Sequence, residues 1–399
     1  MKIKTDQRIQ SLNVKVGSCD AGLLNKMAQF DFSYHADASM PVSITMPVEK
    51  RFFRYGALHP VFEMNLPEGF IRYRITEKLR KHLPVDEMLF LALQGSNGIG
   101  RLSYDTPDVE HEELPGEVLA EILGWQGNES LFSELLEKYL LSTGIGGVQP
   151  KVIVPEKSSL VLPALIVKTG DEEFPDLATN EYICMKLAKA CGIDTPEFWL
   201  SDNQQLFVMR RFDLSENGES LAMEDMAVLQ GKSTDDRYRS SYEQVAKAIS
   251  LYSTEPVADM LAFYKTFVLS CMLGNGDAHL KNFSMIYTDE SDVRLSPSYD
   301  IVNTLLYNPA DTLALRLGKS REFPGRNRIE RFGKTMDIQH CSLLIENMAD
   351  QVRTEIDNLD GYCEKIFKGM KPSLLSSLHR ATTRTPLKVR PGRRYSKYP

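Results

Sequence analysis

The stretch that most constrains this 399-residue chain is Gly274-Asn275-Gly276-Asp277-Ala278-His279-Leu280-Lys281-Asn282-Phe283-Ser284, which follows directly on the apolar run from Met260 to Leu273. It sets the carboxylate of Asp277 five positions ahead of the amide of Asn282. Phosphoryl transfer needs a carboxylate to orient the acceptor hydroxyl and a neutral oxygen ligand for magnesium, a fixed distance apart on one rigid loop. The interval is that between Asp and Asn in the phosphotransfer pattern H-R-D-x-x-x-x-N. Eighteen residues later, Ser298-Tyr299-Asp300-Ile301 brings a second carboxylate. A hairpin precedes it, with Phe283 to Tyr287 and Val293 to Leu295 as strands, and Asp300 is the expected main metal ligand. Asn-Gly-Asp-Ala is also good turn chemistry, so the reading depends on what flanks it.

Upstream, Ser142-Thr143-Gly144-Ile145-Gly146-Gly147-Val148-Gln149-Pro150-Lys151 sets three glycines beside a lysine. Such a composition lets backbone N–H groups approach phosphate, although the Walker spacing is missing and an ordinary glycine turn reads alike. Lys151 to Val154 and Leu160 to Lys168 read as paired strands around a turn at Pro155 to Ser159. Lys168 ends an otherwise buried run, and a buried ammonium is costly unless it meets an anion. In a phosphotransfer site that anion is the α/β-phosphate, and a glutamate on the next helix steadies the lysine. Ala178 to Cys191, closed by Gly192, supplies such a helix, with Glu181 near its start. A strand end in water is the other reading of Lys168. Pro196 to Asp202 and Gln205 to Arg211 complete an expected five-stranded lobe. Phe207 to Phe212 would join the lobes, with Met209 and Phe212 as apolar contacts for adenine.

The first 105 residues read as a small α+β module, with short strands near Asn13 to Val16 and Val42 to Met46. After Asn65-Leu66-Pro67-Glu68-Gly69, the stripe Ile71, Ile75, Leu79 predicts a helix, and Asp86 to Gln94 a second. A glycine turn at Gly95 to Gly100 precedes Arg101 to Tyr104, and the module shows no catalytic constellation. Asp105 to Gly116 is the expected linker, followed by helices from Glu117 to Trp125 and Glu129 to Leu141. From Tyr242 helical patterns dominate, ending near Ser342 to Ile366 and Ser373 to His379. The division is 1–105, a nucleotide lobe at 106–212, a helical lobe at 213–383, and a flexible basic tail at 384–399.

A net charge of −7 argues against general affinity for nucleic acid, but the charge is uneven. Seven Lys/Arg and no acid follow from His379 onward, and Arg316 to Lys334 carries seven more against Glu322 and Glu330. Either run is a solvated face or a docking patch for DNA, tRNA or an acidic partner. Six scattered cysteines with no C-x-x-C pair read as reduced and mostly buried. Lys265 interrupts the longest apolar stretch and the amino terminus has no signal-like segment, so the expectation is a cytoplasmic protein with no membrane association.

These segments, in this order, resemble the HipA-type toxin kinases of bacteria along nearly the whole chain. The motifs are Asn65-Leu66-Pro67-Glu68-Gly69, Gly147-Val148-Gln149-Pro150-Lys151, Asn180-Glu181-Tyr182-Ile183-Cys184, Arg211-Phe212-Asp213, Glu224-Asp225 and Gly276 to Ser284. The resemblance implies an α+β fold of the protein-kinase-like or phosphoinositide-kinase-like two-lobed kind, with a small amino-terminal subdomain and a mostly helical C-lobe. It also implies Asp277 as catalytic base, Asn282 and Asp300 as magnesium ligands, and Lys168 on the ATP phosphates. Gly144, Gly146, Gly147, Val148, Gln149 and Lys151 would cover those phosphates, and His279 would pack the loop. One departure stands out: the family commonly has an autophosphorylated serine at one or both places held here by Gly144 and Gly146. The switch is then absent, or displaced to Ser142 or Thr143.

By the same resemblance the chain is an ATP- and magnesium-dependent Ser/Thr kinase and the toxin of a toxin–antitoxin pair. Its partners would be a helix-turn-helix antitoxin of HipB type and a protein substrate such as an aminoacyl-tRNA synthetase, with DNA reached only through the antitoxin. A kinase of the same core with a non-toxic substrate, and an inactive scaffold or co-repressor, are the competing readings.

Overall fold

In the computed structural model the described residues are 1–384, apart from 128–129, 158–163, 216, 360–361 and 363. The expected basic tail beyond Arg384, the end of the Pro155 to Ser159 turn and the start of the Leu160 strand lie outside them.

The amino-terminal module is a five-stranded antiparallel sheet in the order Phe52–Tyr55, Phe30–Tyr34, Cys19–Lys26, Ser11–Val16, Leu102–Asp105. Ser11–Val16 alternates strictly, with Leu12, Val14 and Val16 fully buried, because one face packs inward while the other meets water. Helix Glu87–Gln94 packs on strands Ser11–Val16 and Leu102–Asp105 and starts where Asp86 accepts the Leu89 amide at 3.1 Å, while helix Gly69–Leu79 buries Ile71, Ile75 and Leu79 in the same core. Val42 to Met46 is not a strand. Flanked by Pro41 and Pro47, it folds into a turn whose Ser43 hydroxyl and Ile44 amide donate to the buried Glu224 at 2.5 and 2.8 Å.

Among the described residues the second sheet holds four strands, where five were expected, in the order Phe198–Leu200, Leu206–Arg210, Ala164–Thr169, Lys151–Pro155. Its strands read as unbroken apolar runs because both faces are covered. Val152, Val154, Leu165, Val167 and Val208 join the amino-terminal core, whereas Ile153, Ile166, Phe207 and Met209 join that of the helical lobe. Lys168 shares the second face with Ile166 and lies directly opposite Lys151 in the ladder. Phe207 to Arg210 belong to the strand, so the segment joining the lobes begins at Arg211 rather than Phe207.

The C-lobe wraps helices Tyr242–Tyr252, Arg326–Thr335, Cys341–Asp357 and Glu364–Thr382 around the helix Pro256–Leu273. That central helix is long and apolar enough to cross a membrane, yet 67% of it is buried inside the fold. The last helix runs through Pro372, where a break was expected, because Met370, Leu374 and Leu378 seat it in the core on both sides of the proline. The break falls instead after Asp357. Of the cysteines described, Cys19 is exposed and Cys184, Cys191, Cys271 and Cys341 are buried, all unbridged.

Candidate active site

Between the lobes lies a cleft of about 860 Å³, within the usual size for a small-molecule site. Its floor comes from the lysine strand. The Lys168 ammonium, on a side chain 2% exposed, donates to Glu181 Oε1 at 2.6 Å and also pairs with Asp300. Burial alone would depress this ammonium; Asp300 and Glu181 outweigh it and hold it above its ordinary value. Glu181 is held up at about 7 by burial, against the pull of Lys168, and its Oε2 has no partner. Asp300, which burial would raise, is held well below the usual carboxylate range by Lys168 and Lys151. Lys151 is itself buried, which lowers its ammonium against the attraction of Asp300. Two buried lysines facing each other across a ladder disfavour one another, and an anion in the cleft relieves both.

The opposite wall is the loop that leaves the central helix. Gly274 ends that helix at φ +71, and its amide donates to Ser270 O. The Asn275 side chain accepts the Asp277 amide at 3.0 Å, and Thr304 Oγ1 accepts that of Gly276 at 2.8 Å. Asp277 thereby faces the cleft, where Tyr238 donates its hydroxyl to Oδ1 at 2.8 Å. Burial pushes the Asp277 carboxyl up to about 6; the Tyr238 hydrogen bond opposes this and the charge of Asp300 adds to it. His279 is neutral, depressed to about 3 by burial and then by Arg237. It caps the 3-10 turn Leu280–Asn282 by accepting the Lys281 amide at 3.2 Å, the packing role expected of it.

Asn282 Nδ2 lies 3.3 Å from Asp300 Oδ2, and Asn282 Oδ1 spends one lone pair on the His279 amide. The remaining oxygens make a hard donor pair suited to magnesium, which takes one or two protein oxygens and leaves its other positions to water and phosphate. Asp300 adopts φ 55, a left-handed conformation that Asp tolerates better than most residues. Among the described residues no cluster of three His, Cys, Asp or Glu side chains could hold a metal alone.

The family profile described as the HipA-like C-terminal domain matches residues 143–358, over half of the chain, and the HipA N-terminal domain profile matches 12–105. The chain belongs to the HipA family. A Sinorhizobium fredii relative named "Putative kinase Y4dM" is 27% identical over 307 residues, covering 70% of this chain and 71% of its own. A Haemophilus influenzae relative with the same style of kinase name is 32% identical over 182 residues, 41% of this chain and 53% of the relative. The Shewanella oneidensis MR-1 HipA, solved with HipB and operator DNA, superposes with a TM-score of 0.69 at 19% identity, covering 93% of this chain and 97% of that one. The architecture is therefore the kinase-like α+β fold.

In this HipA-family chain the cleft collects Gly146, Gly147, Val148, Gln149, Lys151, Lys168, Met209, Phe212, Asp277 and Asp300. Glu181 stands behind Lys168, and Asn282 behind Asp300. Gly144 is outside the cleft, bridged to Gly98 of the amino-terminal module. Ser142 and Thr143 are buried outside the cleft lining, and both hydroxyls donate to Tyr139 O at 3.0 Å. The amino-terminal module, expected to be free of site residues, supplies Met64, Asn65 and Ile99 to the wall. Tyr238, Arg237 and Glu68 escaped sequence reasoning as well. Only Glu68 left a signal, as a charged residue inside Asn65-Leu66-Pro67-Glu68-Gly69.

Proposed function

We propose that this chain is an ATP- and magnesium-dependent Ser/Thr protein kinase, the toxin of a toxin–antitoxin module. The observation that carries the chemistry is Lys168 reaching both Glu181 and Asp300 on the floor of a cleft whose other wall presents Asp277. Lys168, held between two carboxylates, and Lys151 meet the nucleotide phosphates, while amides of residues 146–149 cover them. Met209 and Phe212 bound the adenine end. Asp277 orients the acceptor hydroxyl and takes its proton, a role its raised carboxyl suits near neutral pH. Asn282 and Asp300 would hold magnesium, which neutralises charge on the transferring phosphoryl group.

Family membership and the Shewanella structure with HipB and operator DNA support a HipB-type helix-turn-helix antitoxin as partner, with DNA reached only through it. The substrate class, an aminoacyl-tRNA synthetase or another translation factor, follows from family resemblance, as does a cytoplasmic location. The test is transfer from radiolabelled ATP in a cell lysate by wild type and Asp277→Ala. A labelled band lost in the variant, together with growth arrest on expression of wild type only, supports the proposal. Identical labelling by both proteins ends the enzymatic reading.

A further inference from the structure

Residues 64–69 of the amino-terminal module meet the glycine loop at three successive positions. Glu68 Oε1 accepts the Gly147 amide at 2.9 Å and the Lys281 ammonium at 2.6 Å, and Glu68 Oε2 accepts from Arg237 at 2.5 Å. Lys281 also donates to Met64 O at 3.2 Å. The three charged side chains are only 11–15% exposed. Each side of the contact places a glycine at its closest approach. A Cβ on Gly146 would stand 2.6 Å from Met64 O, 2.7 Å from Lys281 Nζ and 3.0 Å from Glu68 Oε1. One on Gly69 would stand 2.9 Å from Val148 Cγ1 and 3.0 Å from Val148 O. Burial would raise the Glu68 carboxyl, but Lys281 and Arg237 outweigh it and leave it at about 2, so the contact stays charged across the physiological range.

We infer that Glu68 is a positioning residue for phosphoryl transfer: it fastens the glycine loop at Gly147 to the catalytic loop at Lys281, fixing the spacing between the phosphate-covering backbone and Asp277. The inference rests on the kinase reading above, but the fastening itself is measurable without turnover. A glycine-rich loop is otherwise free to lift, because its backbone has the widest choice of conformations. A carboxylate shared between an amide of one loop and an ammonium of the other removes that freedom through charge-assisted hydrogen bonds.

The test uses the full chain with Glu68→Gln, Glu68→Ala and Lys281→Met, read by backbone hydrogen exchange over residues 144–150 and by steady-state kinetics in ATP. Exchange in that peptide should quicken by roughly tenfold or more in Glu68→Ala and Lys281→Met, as loss of a charge-assisted hydrogen bond implies. Ala164–Thr169 and Pro256–Leu273 should be unchanged. Glu68→Gln keeps an oxygen for Gly147 and should fall between. KM for ATP should rise and kcat should fall in the same order. A general structural role would lower the melting temperature without this confinement to one loop. Unchanged loop exchange in all three variants of an active enzyme overturns the inference and leaves the kinase reading standing. Quickened exchange in a protein that transfers no phosphate does the reverse. A lower KM for ATP in Glu68→Ala would make Glu68 a competitor of phosphate for the Gly147 amide, and also overturns it.

Discussion

Tyr238→Phe should move the acid limb of the pH–rate profile upward while leaving the fold intact. The Tyr238 hydroxyl donates to Asp277 at 2.8 Å and favours the carboxylate, opposing the burial that lifts this group to about 6. A hydrogen bond to a charged group is worth about 1.5–3 kcal/mol net, or about one to two pH units. At pH 7 the wild-type Asp277 is about nine-tenths ionised, and the variant's would be between about a half and a tenth ionised. The rate at pH 7 should then fall roughly two- to tenfold and recover by about pH 9. The assay is kcat against pH from 5 to 9 at saturating ATP, with circular dichroism to check folding. Stability carries the same sign. A carboxyl held above its unfolded value stabilises the fold fully below that value and loses the contribution as pH rises through about 6, so the variant should also lose stability between pH 5 and 8. An acid limb at the same pH in both proteins would refute the reasoning.

Lys168→Met leaves Glu181 buried opposite an apolar side chain; breaking such a pair costs about 3–5 kcal/mol, less whatever protonation of the glutamate recovers. Because Glu181 stands near 7 in the fold against an ordinary 4.5, denaturant unfolding should show a larger deficit at pH 8 than at pH 5. Asp300→Asn keeps a residue type that accepts the left-handed backbone and should fold normally, but its thermal shift with ATP–Mg²⁺ should vanish while wild type gains several degrees; equal shifts would remove Asp300 from the site. Intact-mass and peptide analysis after incubation with ATP should find no phosphate between residues 142 and 151, since the only hydroxyls there are buried; stoichiometric labelling at Ser142 or Thr143 would contradict their placement.

What the sequence made legible was the chemistry strung along single segments. The Asp277-to-Asn282 interval, the lysine ending an apolar strand, and a glutamate four residues into the next helix are local patterns; the fold brings Asp277 and Lys168 into one cleft and sets Glu181 and Asn282 just behind it. What it hid depends on distant partners. Val42 to Met46 has a strand's alternation, but its Ser43 hydroxyl and Ile44 amide go to Glu224, about 180 residues away. In Cys19–Lys26 and Phe52–Tyr55 the exposed Leu23 and Phe52 blur the alternation, whereas Phe30–Tyr34 alternates cleanly but spans only five residues. Tyr238 lies in a loop with no periodicity, and nothing short of the fold places its hydroxyl on Asp277. Ser142 and Thr143 looked available because sequence does not reveal that Tyr139 O receives both.

The four-stranded sheet built on Ala164–Thr169 serves as a party wall. Neighbouring residues along Ala164–Thr169 serve opposite rooms, Val167 on the amino-terminal side and Ile166 on the helical side, each almost without contact with water. Neither room can be vacated without stripping one surface of the partition, so heating should produce a single melting transition rather than two. A one-residue insertion in that strand would hand Lys168 to the wrong tenant, turning the ammonium away from Glu181 and Asp300 into a pocket of aliphatic carbon.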